Sequence, residues 1–241
     1  MKKKLVSSSL AVITALAASV LSLAASVPSE GLSFDLPAGF VEVPASTIDR
    51  ATNAMHERAP HAKVTRPLAA FQRPPIRPDG LTYPYILVYA TDSRSPTTGE
   101  MKALAAHAPA QQSVDSTAAS SDGLISGGTP SLSYDEATHR VKLALMTNVN
   151  GSDSMPVYTE FVPTSKGIVS LNGYLSAASA TAARQYFEPG FATARLDATH
   201  AYTPIEGNPR PTGSFDWSKV ITAALLGALL AVVFGRKKKP A

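Results

Sequence analysis

Between an apolar stretch at each end, apolar and polar residues of this chain alternate in short runs. The clearest are Val141–Val149 (V-K-L-A-L-M-T-N-V), Met155–Pro163 and Ile168–Leu175. A period of two marks strands that bury one face. Asn150-Gly151 and Ser165-Lys166-Gly167 separate these runs and favour tight turns. Ser131–Tyr134, with a turn at Asp135–Thr138, precedes them. The spacing predicts an antiparallel meander of three or four strands.

Upstream the pattern is mixed. Leu32–Pro44 alternates around Pro37-Ala38-Gly39 and predicts a short hairpin. Ile48, Ala51, Met55 and Ala59 recur at helical spacing up to Pro60, with Ser46 or Thr47 as cap. Val64–Phe71 reads as an edge strand, and Tyr83–Ala90 (Y-P-Y-I-L-V-Y-A) as the strongest strand of this half. Thr98–Ala108 predicts a helix with Met101, Leu104 and Ala105 on one side, and Gln111–Gly128 a loop. After the meander, Ser176 or Ser179 caps a last helix of the domain. Ala182, Ala183, Tyr186, Phe187, Phe191, Ala194 and Leu196 face inward, with a break at Pro189-Gly190. Tyr202–Ser214, rich in Pro and Gly, reads as an extended linker. The expected class is α+β, an antiparallel sheet covered by helices.

Three features together resemble a known family. They are Leu36-Pro37-x-Gly39-Phe40 within F-D-L-P-A-G-F, the strand meander, and the terminal helix with Tyr186 and Phe187. From Leu32 to Ala198 their order resembles the PsbP-like α/β/α sandwich. The resemblance implies helices flanking a central antiparallel sheet. It also implies a non-catalytic accessory or binding role, as in thylakoid-lumen accessory proteins and bacterial exported relatives. It transfers no functional residues.

The two ends concern topology. Lys2–Lys4, an apolar segment from Leu5 to about Leu23, and small residues at Ala24, Ala25 and Ser26 predict a signal peptide over residues 1–26. Near the other end Val220–Phe234 is uninterruptedly apolar, and Gly235 and Arg236-Lys237-Lys238-Lys239 follow. The run covers roughly 23 Å as a helix against ~30 Å of hydrocarbon, and extension from Trp217 to Gly235 closes most of the gap. Trp217 suits the headgroup level and Lys219 can reach outward. The basic cluster, retained in the cytoplasm, orients the helix with its N-terminus outside. The expected order is a signal peptide (1–26), an extracytoplasmic domain (27–201), a linker (202–216), a transmembrane helix (217–235) and a basic cytoplasmic tail (236–241). The expected anchor residues are Trp217, Lys219, Val220, Gly227, Phe234, Arg236, Lys237, Lys238 and Lys239. A buried C-terminal core helix is the other reading of the run. Ala223, Gly227 and Ala231, four apart, would let two such helices approach closely. The abundance of Ala and Gly in membrane helices explains the same pattern.

Charge changes meaning once the ends are set aside. The chain is formally +4, but seven of its 22 basic residues are Lys2–Lys4 and Arg236–Lys239. The rest carries 15 basic residues against 18 acidic, or about −3. A nucleic-acid partner is not expected. No cysteine is present, which excludes disulfides, thiolate metal sites and cysteine nucleophiles. The histidines (His56, His61, His107, His139, His200) follow no metal-binding or catalytic motif, and no phosphate loop or dinucleotide fingerprint occurs. No cofactor or metal is expected. The sequence reads as a single-pass, membrane-anchored, non-catalytic accessory or binding protein of the cell envelope. Its expected partners are the lipid bilayer and an envelope protein. One alternative is an envelope hydrolase using His139 or His200 with a nearby carboxylate. Another is a tether that self-associates through the transmembrane helix.

Overall fold

A computed structural model of the chain describes residues 23–61, 64–78, 80–92, 94–106, 115, 125–126, 128–149, 153–176, 179–207 and 217–227. Among these, eight strands build one antiparallel sheet in the order β3-β4-β5-β10-β9-β8-β6, with β7 also paired to β8. These strands are β3 (Val41–Glu42), β4 (Ala69–Gln72), β5 (Tyr85–Asp92), β6 (Ile125–Ser126), β7 (Ser131–Asp135), β8 (Arg140–Val149), β9 (Asp153–Pro163) and β10 (Gly167–Tyr174). A small second sheet joins β1 (Ala24–Val27), β2 (Leu32–Asp35) and β11 (Arg195–Leu196) in the order β1-β2-β11.

The meander forms as expected. β8 pairs with β9 and β9 with β10, each antiparallel. The hairpin expected at Leu32–Pro44 does not form. Its two arms part at the Pro37-Ala38-Gly39 turn, β2 pairing with β1 and β11 while β3 joins β4. The turn residues are the same in either case, because a Pro-x-Gly turn redirects the chain without choosing a partner for the strands beside it. β4 is flanked on both sides, so it is no edge strand. Ile125–Ser126, within the expected loop, adds β6 to β8. The expected leader boundary at residue 26 falls inside β1, whose Ala25 and Val27 are buried.

The sheet divides the core in two. On one side α3 (Ala180–Phe191) lays Ala183, Phe187 and Phe191 over Val169, Leu171, Val88 and Tyr158. Ser179 caps it by accepting from the Ala182 amide. The helix runs through Pro189 to Phe191 without the expected break. Pro189 lies in the last turn, where the lost N–H removes one bond near the helix end.

On the other side lie α1 (Ala45–Arg58), α2 (Thr98–Ala105) and α4 (Trp217–Gly227). α1 buries Ile48, Ala51 and Met55 on their predicted helical stripe. Its N-cap position is Pro44, without the side-chain cap expected from Ser46 or Thr47. α2 starts with a capping box: Thr97 Oγ1 accepts from the Glu100 amide at 3.1 Å, and the Glu100 carboxylate from the Thr97 amide at 2.8 Å. Its first two amides donate to the carbonyls of Ile205 and Gly207. The front of the expected linker is therefore pinned to the domain, supplying acceptors to a helix N-terminus that otherwise lacks them.

Candidate functional site: the central sheet face under the last helix

Alternation along three neighbouring strands creates this face. On β5 the residues Tyr85, Leu87 and Tyr89 point to one side, on β10 Ser170, Asn172 and Tyr174, and on β9 Val157 and Thr159. Register aligns them in rows. Tyr85 lies opposite Tyr174 and Tyr174 opposite Val157, while Leu87, Asn172 and Thr159 form the next row. The Tyr85 and Tyr174 rings stack at 4.7 Å between centroids, and Tyr83 stacks on Tyr85 at 5.2 Å.

The middle of the face is polar and internally satisfied. Thr159 Oγ1 donates to Asn172 Oδ1 at 2.9 Å. Asn172 Nδ2 donates to Ser170 Oγ at 3.0 Å and to the Leu87 carbonyl at 3.3 Å. These side chains are buried, so each unmade bond would carry a desolvation cost.

α1 packs on β4 and α2 on β7 and β8, at either side. Between them α4 crosses β5, β10 and β9, burying Ile221, Ala223, Ala224 and Leu225. The helix is held by its backbone. Tyr174 Oη donates to the Ala224 carbonyl at 2.6 Å and Tyr85 Oη to the Gly227 carbonyl at 2.8 Å. A helical carbonyl has a second lone pair and can take a hydroxyl beside any N–H it already accepts. Burial raises the ionisation of both phenols well above its ordinary range, so they remain donors. Approach this close requires glycine: a Cβ on Gly227 would lie 2.1 Å from Tyr174 Oη and 2.9 Å from Leu87 Cδ1.

Of the expected anchor residues, Trp217, Lys219 and Val220 open α4 and Gly227 meets the sheet. Phe234 and Arg236–Lys239 lie outside the described residues. Among the described residues no helix is long and apolar enough to cross a membrane, so the expected C-terminal span has no counterpart there. Sequence reasoning missed Tyr85, Tyr174 and Asn172 as members of one sheet face beneath α4. The signal available was Tyr at every second position, or nearly so, in Y-P-Y-I-L-V-Y.

A charged cluster occupies the opposite side, between α3 and the sheet. Glu160 is fully buried, accepts from Tyr158 Oη at 2.9 Å, and faces Arg140 Nη1 at 3.4 Å. Burial raises its carboxyl above the ordinary range, against the lowering effect of Tyr158 and Arg140. Arg140 also donates to the carbonyls of Phe191 and Ala194, closing the C-terminal end of α3. Glu188 on α3 receives Arg184 Nε at 2.8 Å and Lys142 Nζ at 2.8 Å. Hydrogen bonds from Arg184 first, then Lys142, pull its carboxyl down to about 2.

A carboxyl lowered on folding contributes stability that is complete above its unfolded value and lost as pH falls through the folded one. Glu188→Gln should therefore cost roughly 1–2 kcal/mol at neutral pH, after allowance for solvent screening at half-exposed Arg184. The difference from the wild type should close between about pH 5 and pH 2. Urea unfolding at a series of pH values measures it.

The histidines proposed for a hydrolase sit in turns. His200 Nδ1 meets Asp197 Oδ1 at 2.8 Å, while Asp197 also accepts the amides of Thr199 and His200. The nearby Ser165 hydroxyl donates to the Thr199 carbonyl. His139 Nδ1 pairs with Tyr134 Oη at 2.7 Å. These bonds fix chain reversals. Two open hollows of about 280 Å³ each flank Asp35, one on the small sheet beside Thr193 and the other between Pro37 and α3.

No protein-family model matches the chain, and no curated protein matches it. Among solved structures it is similar to cyanobacterial PsbP (CyanoP) from Synechocystis sp. PCC 6803. Identity is 12%, the TM-score 0.46, and the match covers 75% of this chain and 95% of that one. A crystal structure from Bacteroides thetaiotaomicron VPI-5482 is 11% identical with a TM-score of 0.32; 69% of this chain matches 45% of that one. The architecture is an α+β fold of antiparallel sheets with few helices. No residue role passes across these likenesses.

Proposed function

We propose that this chain is an exported protein, anchored in the plasma membrane by its C-terminal apolar segment, whose α+β domain works outside the cytoplasm by binding an envelope partner. The observation that carries the binding part is the central face itself, where two buried phenols donate hydrogen bonds to the backbone of the chain's own α4 and show what the face can hold. Such a face selects an apolar helix with a glycine where its backbone comes closest to the sheet. The anchoring part is supported by the run Val220–Phe234 with its basic end, and the export part by the basic and apolar N-terminal segment.

Fractionation of cells producing the full chain tests this reading. The protein should sediment with membranes, resist carbonate extraction and dissolve in detergent. Protease added outside the plasma membrane should degrade the domain and spare an epitope placed after Ala241. Recovery in the cytosol, or free release to the outside, would overturn the proposal.

A further inference from the structure

We infer that the central sheet face is a receptor for the chain's own apolar C-terminal segment, which exchanges between that docked position and the bilayer. The inference rests on the membrane reading above and adds a second resting place for the same residues. Ile221, Ala224 and Leu225 are buried on the sheet. They also begin the run that the membrane reading places in lipid. One helix cannot occupy both sites, so the sites compete.

Three features suit the face to being emptied and refilled. It is amphipathic: Ser170, Asn172 and Thr159 satisfy one another without help from the helix. On departure the phenols of Tyr85 and Tyr174 can hydrogen-bond to water, so no buried donor is orphaned. Finally, the hydroxyl bonds go to backbone carbonyls and the side chains buried at the contact, Ile221, Ala223, Ala224 and Leu225, are all apolar, with none at Gly227. The buried side of the docked helix therefore brings no charged or polar side chain that lipid would exclude. When docked, the segment fills the groove between α1 and α2. When inserted, it leaves the groove open to the envelope partner, and the helix would act as an occupant that membrane insertion removes.

The chain has a single tryptophan, Trp217, at the start of α4, which serves as a local probe. The full chain is mixed with vesicles of phosphatidylcholine and phosphatidylglycerol, with and without brominated acyl chains. Quenching of Trp217 reports insertion of this segment whatever the N-terminus does. Tyr85→Phe/Tyr174→Phe removes both hydroxyls and leaves the helix unchanged. It should raise the inserted fraction relative to the docked one roughly thirtyfold, each of the two net hydrogen bonds being worth about 1 kcal/mol. In the absence of vesicles it should speed hydrogen exchange at the amides of residues 221–227. Gly227→Leu, which blocks docking from the helix side, should do the same, with circular dichroism confirming that the sheet is retained. Wild-type exchange at 221–227 as fast as in an isolated peptide would overturn docking. Slow exchange with no quenching in any variant would refute the membrane reading and the exchange together, leaving a permanently packed helix. Quenching that is equal in all three proteins would refute the competition alone.

Discussion

Arg140→Met should cost the folded state about 3–5 kcal/mol at neutral pH, because it removes the cation beside a buried carboxylate. The guanidinium faces Glu160, which is fully buried, and closes the carbonyl end of α3 at Phe191 and Ala194. Methionine keeps much of the apolar stem, so the loss reports the charge and its hydrogen bonds. The pH dependence identifies the cause. Glu160 already has a raised carboxyl from burial, and losing Arg140 raises it further. A raised carboxyl favours folding below its unfolded value and opposes it as pH climbs through the folded one. The deficit of Arg140→Met relative to the wild type should therefore shrink on acidification, as Glu160 takes a proton. Adding Glu160→Gln should restore most of the stability at neutral pH. Denaturant unfolding of the two single variants and the double variant, at neutral and mildly acidic pH, decides the matter. A deficit below about 1 kcal/mol, independent of pH, would mean that Arg140 holds nothing of consequence.

Phe187→Ala should also cost about 3–5 kcal/mol, through the cavity it leaves between α3 and the sheet. Its ring is fully buried, stacks with Phe191 at 5.7 Å and meets Tyr186 edge-on at 4.9 Å. It also lies directly on the backbone of β10. A Cβ on Gly173 would sit 2.3 Å from Phe187 Cδ2, so this ring and that glycine are complementary. Gly173→Ala alone should destabilise by about 1–3 kcal/mol by overpacking. In the Phe187→Ala background it should cost little or become favourable, since the added methyl enters the vacated space. The double-mutant cycle should give a coupling of at least about 1 kcal/mol. Strict additivity would show that the ring and the glycine do not meet in solution.

Much of the fold was legible in the residues, and the failures have physical reasons. Met155–Pro163 and Ile168–Leu175 are buried on both faces and stood out by their β-branched and aromatic residues between turn signals. Val141–Val149 stood out because it buries one face more deeply than the other, and period two records that directly. Ile48, Ala51 and Met55 did the same for a helix. Partner choice left no such trace. Nothing local to Leu32–Pro44 says that β2 will join β1 and β11 rather than β3, since that depends on residues about 160 positions later. Pro189 suggested a break because a proline cannot donate, yet in the last turn only one bond is lost and almost no helix follows for it to interrupt. The C-terminal run illustrates the deepest ambiguity. Hydropathy registers that Ile221, Ala224 and Leu225 avoid water. It does not register whether hydrocarbon or a tyrosine-lined sheet receives them, because both are apolar to the residue concerned. The candidate face stayed hidden for a related reason: Tyr85 and Tyr174 are far apart in sequence and become a pair only in the register of β5 with β10.

That register has a consequence for biogenesis. β10 is inserted between β5 and β9, with Tyr174 opposite Tyr85 and Gly167 opposite Asp92. A chain emerging from its N-terminus therefore presents β5 with one bare edge until β10 follows. In the interval Ile86, Leu87 and Val88 form an apolar strand with open amides and carbonyls, the kind of segment that nucleates intermolecular pairing. The half of the sheet made first must wait for the half made last. A slow or interrupted synthesis is thus the condition under which this protein is most exposed to aggregation, and a chaperone that shields Tyr85–Asp92 would matter most before residue 174 appears.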